Sequence, residues 1–580
     1  MAAVLLLAVA VRVVTYLQVR DGSILYFHLA ADTDMHFYDG WARLIAGGEL
    51  LAAPRPYHPW HHAVAREAHD RIAPGQPFDE SVGRAMWDHW MGAGTFYQDP
   101  LYAYALAASY RIFGPRIGPV LAWQALLGLG IVVLVFVVAR TLFDDTVGLV
   151  AGGMAALYAP FVFYESTLLR GTLQAFLALA AVACASLGRR DARPWWWLAA
   201  GVAAGLSVLT HAANLLLAVA LAAAAMLSER RLWRVRLVPY AAGLALAFSP
   251  LVARNVVLGL PAWSTGTAAG YGAHNFIMSH AADADPRHGF PFSPSEGRIF
   301  ALTDARLLPT VRETLATHAS VWSWLRLMLA KLLAFFDGWE NADNINFYYF
   351  LLQSPLLRAI GLRFDVLLPL AALGLALVAQ AEPPVRCRQR LGSPPALAVA
   401  CGVLTALVFF TASRVRLTAA AAMIPFAAAG AVEAVRRLRS RRARSLAGPG
   451  AAALAAAVLA VAPWWPRPQL VRDLDYRTGN VLAVARWQHE RQQGHPELAQ
   501  RVLQKQLATE PEPLRALEPG AASSVIPEWA ARVAGSFADL HRAAVTAHLD
   551  AGRPEQALAH AEHARLLAIV ARQFAGRQPS

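Results

Sequence analysis

The stretch D32-T-D-M-H-F-Y-D-G-W-A-R-L-I-A-G-G48, answered later by T95-F-Y-Q-D-P-L-Y-A-Y104, decides how the chain is read. It opens and closes a polar interval, roughly Ala31 to Tyr102, between the first two strongly apolar segments. That interval carries Asp32, Asp34, Asp39, His58, His61, His62, Asp99 and many aromatic residues. In a chain this apolar, a polar loop of about seventy residues is costly unless it works.

The apolarity is plain in the composition. Of 580 residues, 57% are hydrophobic and 16% charged, with a mean hydropathy of +0.38. A water-soluble globular protein does not have this balance. Apolar runs of about twenty residues, enough to cross a bilayer, recur to about Pro463 and then stop. The chain therefore reads as an all-α polytopic membrane protein. Spans are expected near 117–139, 145–163, 171–188, 194–211, 213–227, 237–253, 366–380, 395–412, 417–435 and 449–464. The first segment, from Met1 to about Leu17, has no basic leader and no convincing small-residue cleavage site, so it reads as a retained anchor.

A net charge of +13 and a pI near 10.0 raise the question of nucleic acid, and the position of the arginines answers it. They cluster in short connections: Arg140; Arg189, Arg190 and Arg193; Arg230, Arg231, Arg234 and Arg236; Arg386, Arg388 and Arg390; and Arg436 to Arg444. Basic clusters beside spans mark the cytoplasmic face, and no nucleic-acid partner is needed to explain them. If every cluster lies inside, the short segments 100–114 and 320–336 must be interfacial, giving about eleven crossings. Counting both as spans gives about thirteen and inverts the sidedness between them. With eleven, the Asp32 loop (20–99), Glu165, the interval 254–318, Arg414, Arg416 and the tail all fall outside. Trp322, Trp324, Trp339, Tyr348 and Tyr349 read as an interfacial belt. Three cysteines, Cys184, Cys387 and Cys401, match neither a disulfide framework nor a zinc pattern.

Within the polar interval the order is Asp34, four residues on Tyr38, then Trp41-Ala42 and Gly47, and later F96-Y-Q-D-P-L-Y. Further phrases follow: PLVARNVVLG from Pro250, S264-T-G-T-A-A-G-Y-G-A-H-N-F, K331-L-L-A-F-F-D-G-W-E-N-A-D-N, and F409-F-T-A-S-R-V-R-L. In this order they resemble the GT-C glycosyltransferases, in particular the protein mannosyltransferase and aminoarabinose transferase-like group (family 39), over roughly residues 1–435. The resemblance implies a transmembrane GT-C domain over 1–465. It implies transfer of a hexosyl or pentosyl unit, with inversion, from a polyprenyl-phosphate donor to a hydroxyl of a lipid, glycan or protein. It also implies a bacterial inner membrane with the site on the external side, and neither a cofactor nor a catalytic metal.

Such a reaction needs an external carboxylate to take the acceptor proton. Asp34 is the first candidate and Asp32 the second; both could instead cap a helix starting near Phe37. Glu165, in Y164-E-S-T-L-L-R-G, sits where the family commonly has a second acid, and could equally pair with Arg170. The departing lipid phosphate calls for cationic donors. Arg254 resembles the family's phosphate-facing arginine, with Asn255 beside it, and Arg414 and Arg416 stand at another external span end. All three arginines should lie at the surface or face a polar cavity, because arginine at a bilayer centre costs about 2.5–3.5 kcal/mol on insertion scales. Asp99 stands where lipid-modifying members often have a lysine, so Arg254 or Lys331 would have to supply that charge. Glu340, Asn341 and Asn344 look like a loop motif without assigned chemistry. The histidines of Y57-H-P-W-H-H, with His69, lack metal-ligand spacing and read as a surface loop.

From about residue 466 the composition becomes that of a soluble helical domain. G494-H-P-E-L-A and G552-R-P-E-Q-A each join two helical phrases and resemble the turns of tetratricopeptide repeats, a scaffold that implies a protein partner. They stand 58 residues apart, too far for a regular array. A transporter or flippase of lipid-linked sugars, or a catalytically inactive scaffold using this tail, remain the alternative readings.

Overall fold

The computed structural model describes residues 1–31, 33–191, 193–227, 231–265, 270–286, 293–341, 344, 346–381, 390–462, 467–517 and 526–575. Asp32 lies outside them. The described chain is helical throughout, and its only β pairing is an isolated bridge between Tyr158 and Leu362. Among the described residues, six helices are long and apolar enough to cross a membrane: Ala2–Val19, Ile117–Leu142, Gly171–Asp191, Trp233–Val257, Ser413–Arg439 and Ala443–Val461. Five shorter apolar helices accompany them, Asp145–Leu157, Pro194–Thr210, Ala212–Met226, Phe364–Gln380 and Pro394–Val408. The protein is thus a multi-pass helical membrane protein. The segments at 100–114 and 320–336 form shorter helices, Leu101–Phe113 and Val321–Phe336.

Two compact units are present. One comprises Met1–Val14, Phe37–Asp343 and Ala359–Ala462; the other comprises Thr15–His36, Asn344–Arg358 and Pro463–Ser580. The second therefore contains more than the tail beyond residue 466.

In the first unit, the span expected at 145–163 is broken. A helix ends at Leu157, and a second, Ala159–Glu165, begins with Pro160. Proline has no N–H and cannot continue the hydrogen-bond ladder. At the break the Leu362 N–H donates to the Leu157 carbonyl (2.8 Å), and the Ala159 N–H donates to that of Leu362 (2.9 Å). The short second helix ends on Glu165, which is buried. Arg12 of the first span donates to its Oε1 at 2.6 Å, so the alternative that sequence left open, a pairing with Arg170, is not the one formed. An arginine at the eleventh residue of an apolar span needs a counter-ion. Gly128, on the Ile117–Leu142 helix, has no side chain because a Cβ there would collide with the Glu165 carboxylate. Breaking a buried ion pair from one side costs about 3–5 kcal/mol. Arg12→Leu should therefore lower the melting temperature in detergent markedly, and Arg12→Leu/Glu165→Leu should recover most of the loss; a double variant no better than the single one would count against this pairing.

The two polar intervals pack into one body. Helices Pro59–Ile72 and Glu80–Met91 of the first join Gly270–His280 and Glu296–Thr303 of the second around Val64, Trp87, Trp90, Ile277, Ile299 and Phe300. The histidines read as a surface loop are partly inside it. His69 is buried, and His61 is 1% exposed with its ring stacked on Trp87 at 4.0 Å. Burial, reinforced by His274 and His58, pushes the His61 pKa down to about 2. An unfolded histidine protonates near pH 6.5. The stability tied to neutral His61 is therefore complete above that pH and is lost as pH falls toward 2, by up to about 1.4 kcal/mol per unit. Thermal melts between pH 7.5 and 5 should show this slope, and His61→Phe should flatten it; parallel slopes in the two proteins would refute the assignment.

The second unit holds two helix hairpins, Arg467–Gln492 with Pro496–Leu507 and Glu528–Asp550 with Pro554–Ala575. Both joints have the same construction. Gly494 (φ +80°) and Gly552 (φ +68°) take the left-handed conformation. The next residue's N–H reaches back five positions, His495 to Glu490 and Arg553 to His548. Proline then opens the second helix. This is a Schellman stop followed by a proline start, and it explains why the phrase Gly-x-Pro-Glu recurs. The shared core is built from Trp487, Leu503, Leu514, Phe537, Leu540 and Leu567, among others.

Candidate active site

In the second unit, Asp34 is the first residue of the helix Asp34–Ala46. Thr33 caps that helix, its Oγ1 accepting the His36 N–H at 3.2 Å. Neither a start near Phe37 nor capping by Asp34 is what forms. The Asp34 carboxylate is turned instead to Asn344, whose Nδ2 donates to Oδ2 at 3.0 Å while its Oδ1 accepts the Asp34 N–H at 2.7 Å. Asn344, to which sequence assigned no chemistry, thus bonds both the backbone and the carboxylate of Asp34.

In the first unit, a polar cluster forms where several helices end. Arg170, between the Ala159–Glu165 and Gly171–Asp191 helices, donates through Nη1 to the Tyr38 hydroxyl (3.1 Å) and to Asp99 Oδ2 (3.2 Å). The same carboxylate oxygen accepts the Ala212 N–H at 2.9 Å. Burial raises the Asp99 pKa above the ordinary carboxylate range, although Arg170 and that N–H pull it down. His211 caps the turn at Ala212, its Nδ1 accepting the Ala213 N–H. Burial, then the positive charges of Arg170 and Arg414, hold His211 well below its usual pKa. Two buried guanidinium groups, Arg170 and Arg414, thus share the neighbourhood of His211. The Nε–H of Arg170 is buried and finds no acceptor among the described residues.

The other basic candidates are bound to main-chain carbonyls. Arg254 donates to Leu51 and Gly94, both at 2.9 Å, and lies 3.7 Å from the Phe96 ring centre. Asn255 clamps the following turn through Ala262 and Ser264. Lys331 is 1% exposed and donates to Ser279 (3.2 Å) and Leu407 (2.7 Å). Arg416 holds the carbonyls of Phe335, Asp337 and Trp339, and pairs with Glu340 at 2.9 Å. Beside Asp99, where the resemblance led one to look for a basic residue, stands Arg170.

Tyr38, Asp99, Arg170, His211 and Arg414 are thus brought together, whereas Glu165 is committed to Arg12 and the remaining cations to the backbone. Sequence reading named Tyr38 and Arg414 but missed Arg170 and His211. The available signal was positional: Arg170 and His211 each stand at the end of an apolar run, where a polar residue has access to water.

Comparison with known proteins locates the family signature in this part of the chain. Residues 98–253 match the dolichyl-phosphate-mannose-protein mannosyltransferase family. Asp99, Arg170 and His211 all fall within the match, which bears out over that stretch the resemblance to the GT-C glycosyltransferases. Among solved structures, the chain is similar to ArnT from Cupriavidus metallidurans bound to undecaprenyl phosphate, with 14% identity, 93% of this chain and 77% of that one covered, and a TM-score of 0.37. It is also similar to the apo oligosaccharyltransferase of Archaeoglobus fulgidus, with 14% identity, 72% and 51% covered, and a TM-score of 0.37. The chain spans about half the length of that oligosaccharyltransferase. No curated protein matches it.

Proposed function

We propose that the chain is a membrane glycosyltransferase that moves a sugar from a polyprenyl-phosphate donor to an acceptor hydroxyl on the external face of a bacterial inner membrane. The observation that carries this reading is the buried Arg170, with its unanswered Nε–H and Arg414 nearby, inside the segment that matches a family of sugar transferases. Buried guanidinium groups are suited to a departing phosphate, whose charge develops in the transition state.

In the proposed reaction Asp34 takes the proton of the acceptor hydroxyl. The acceptor oxygen bonds to the anomeric carbon from the face opposite the phosphate, and the carbon–oxygen bond to the lipid phosphate breaks. The phosphate leaves with the electron pair, stabilised by Arg170 and Arg414, and the anomeric centre inverts. Asn344 positions the base. Arg254, Asn255, Lys331 and Arg416 maintain the surrounding frame through the carbonyls they hold. The acceptor hydroxyl belongs to a lipid, a glycan or a protein, and the external helical tail offers a surface for a protein partner.

The test is transfer of sugar from a synthetic polyprenyl-phosphate donor by the detergent-purified protein, together with mass spectrometry of envelope glycans and proteins from cells with and without it. Loss of a glycoform in the deletion, restored by the wild type and not by Asp34→Asn, is the expected result. An unchanged glycan profile and no transfer in vitro would leave the transporter or scaffold reading in its place.

A further inference from the structure

The second unit contains a histidine and carboxylate cluster that the proposed transfer does not use. Glu510, in the connection before the short helix Glu512–Arg515, is buried. His541 Nε2 lies 3.2 Å from its Oε2, and His563 Nε2 lies 3.1 Å from its Oε1. His541 is buried, and the His563 side chain is 16% exposed, so the cluster sits just beneath the surface. The two imidazoles come from the two arms of the second hairpin, and their ring centres are 4.6 Å apart.

We propose that Glu510, His541 and His563 form a binding site for a divalent transition-metal ion, zinc by its ligand set. Two imidazoles and a carboxylate are ligands that zinc takes up readily, leaving a fourth position for water. One ligand atom from each residue lies within 4.8 Å of the other two, and small side-chain rotations would bring them to the spacing of about 3.3 Å that bonds of about 2.0–2.2 Å require in a tetrahedral site. A second ring supports the first. His560, one turn from His563, places its Nδ1 2.8 Å from Nδ1 of His541, and His548 stacks on His560. When His541 donates its Nδ1–H to His560, its Nε2 lone pair faces Glu510, the arrangement in which an outer hydrogen bond orients a metal-bound histidine. The ion would tie the connection carrying Glu510 to the hairpin, apart from the sugar-transfer chemistry.

The competing account is a carboxylate that simply accepts two imidazole N–H groups. Titration of the chelator-stripped, detergent-purified full-length protein with zinc alone separates the two. One tightly bound equivalent and a zinc-dependent rise in melting temperature are expected, and cobalt(II) in its place should give the visible bands of a tetrahedral site. His563→Gln keeps a side-chain N–H for Glu510, so it preserves a hydrogen-bonded network while it should abolish stoichiometric binding. His560→Ala should weaken binding by about 10–100-fold without changing the stoichiometry. His495→Ala, at an exposed histidine paired with Glu490 elsewhere in the unit, should change nothing. The proposal is overturned if the wild-type protein shows no saturable zinc binding, or if His563→Gln binds zinc as the wild type does.

Discussion

Asp34→Asn should reduce sugar transfer by about 10²–10⁴-fold, the range by which a positioned general base accelerates proton transfer. The substitution is nearly isosteric. The amide still offers an oxygen to Asn344 Nδ2, and Thr33 rather than residue 34 caps the helix. Folding and donor binding should therefore survive, and the loss should appear in kcat with KM for the donor little changed. Asn344→Ala, which leaves the carboxylate in place but removes its hydrogen bond from Asn344, should cost less, up to about 10²-fold, also in kcat. A flippase carrying Asp34→Asn would go on moving lipid, and a scaffold would be indifferent. If the variant transfers sugar at the wild-type rate, Asp34 is not the base.

Arg170→Gln should have an effect of similar size through a different route. Removing one donor to developing charge costs about 10²–10³-fold in kcat, and donor affinity should fall as well. It also removes the cation that opposes the burial of Asp99, whose carboxyl should then take up a proton more readily. A buried charge deprived of its partner costs about 3–5 kcal/mol, so a drop in melting temperature should accompany the loss of activity. Arg170→Gln/Asp99→Asn separates the two effects, because the pair is neutralised together: stability should return and turnover should not. Arg170→Lys keeps the charge, but its shorter side chain ends in one ammonium and gives up the Nε–H and Nη2 groups with which the guanidinium would meet a phosphate, so it should remain strongly impaired. Recovery of both stability and turnover in the double variant would reduce Arg170 to a structural residue.

Hydropathy was enough to find the apolar helices, six of them long enough to cross, because lipid demands long apolar helices wherever a chain crosses. It failed at 145–163, where Pro160 interrupts an apolar run without lowering its hydropathy. The candidate site was legible in part. The spacing of Asp34 and Tyr38 lies within one helix and can be read from one line of sequence. The partners of Glu165 and Arg170 cannot, since Arg12 is 153 positions from Glu165 and Tyr38 is 132 from Arg170. A basic residue at the end of an apolar helix looks the same in sequence whether it faces phosphate or a carbonyl. The helix cap shows the same limit on a smaller scale: Asp32, Thr33 and Asp34 are all good caps, and only the backbone decides among them. The tail histidines were passed over because His541 and the pair His560 and His563 lie on different helices, and only the Gly552 turn brings them face to face.

Arg254, Lys331 and Arg416 each grasp two or more carbonyls where a helix or a loop turns. Oxygen atoms at such corners would otherwise meet hydrocarbon or the headgroup region with no hydrogen to satisfy them. The positive charges thus serve as stitches in a seam, and cutting one with a neutral residue of equal bulk should fray the fabric locally, admitting water or a lipid headgroup, before any sugar is mishandled.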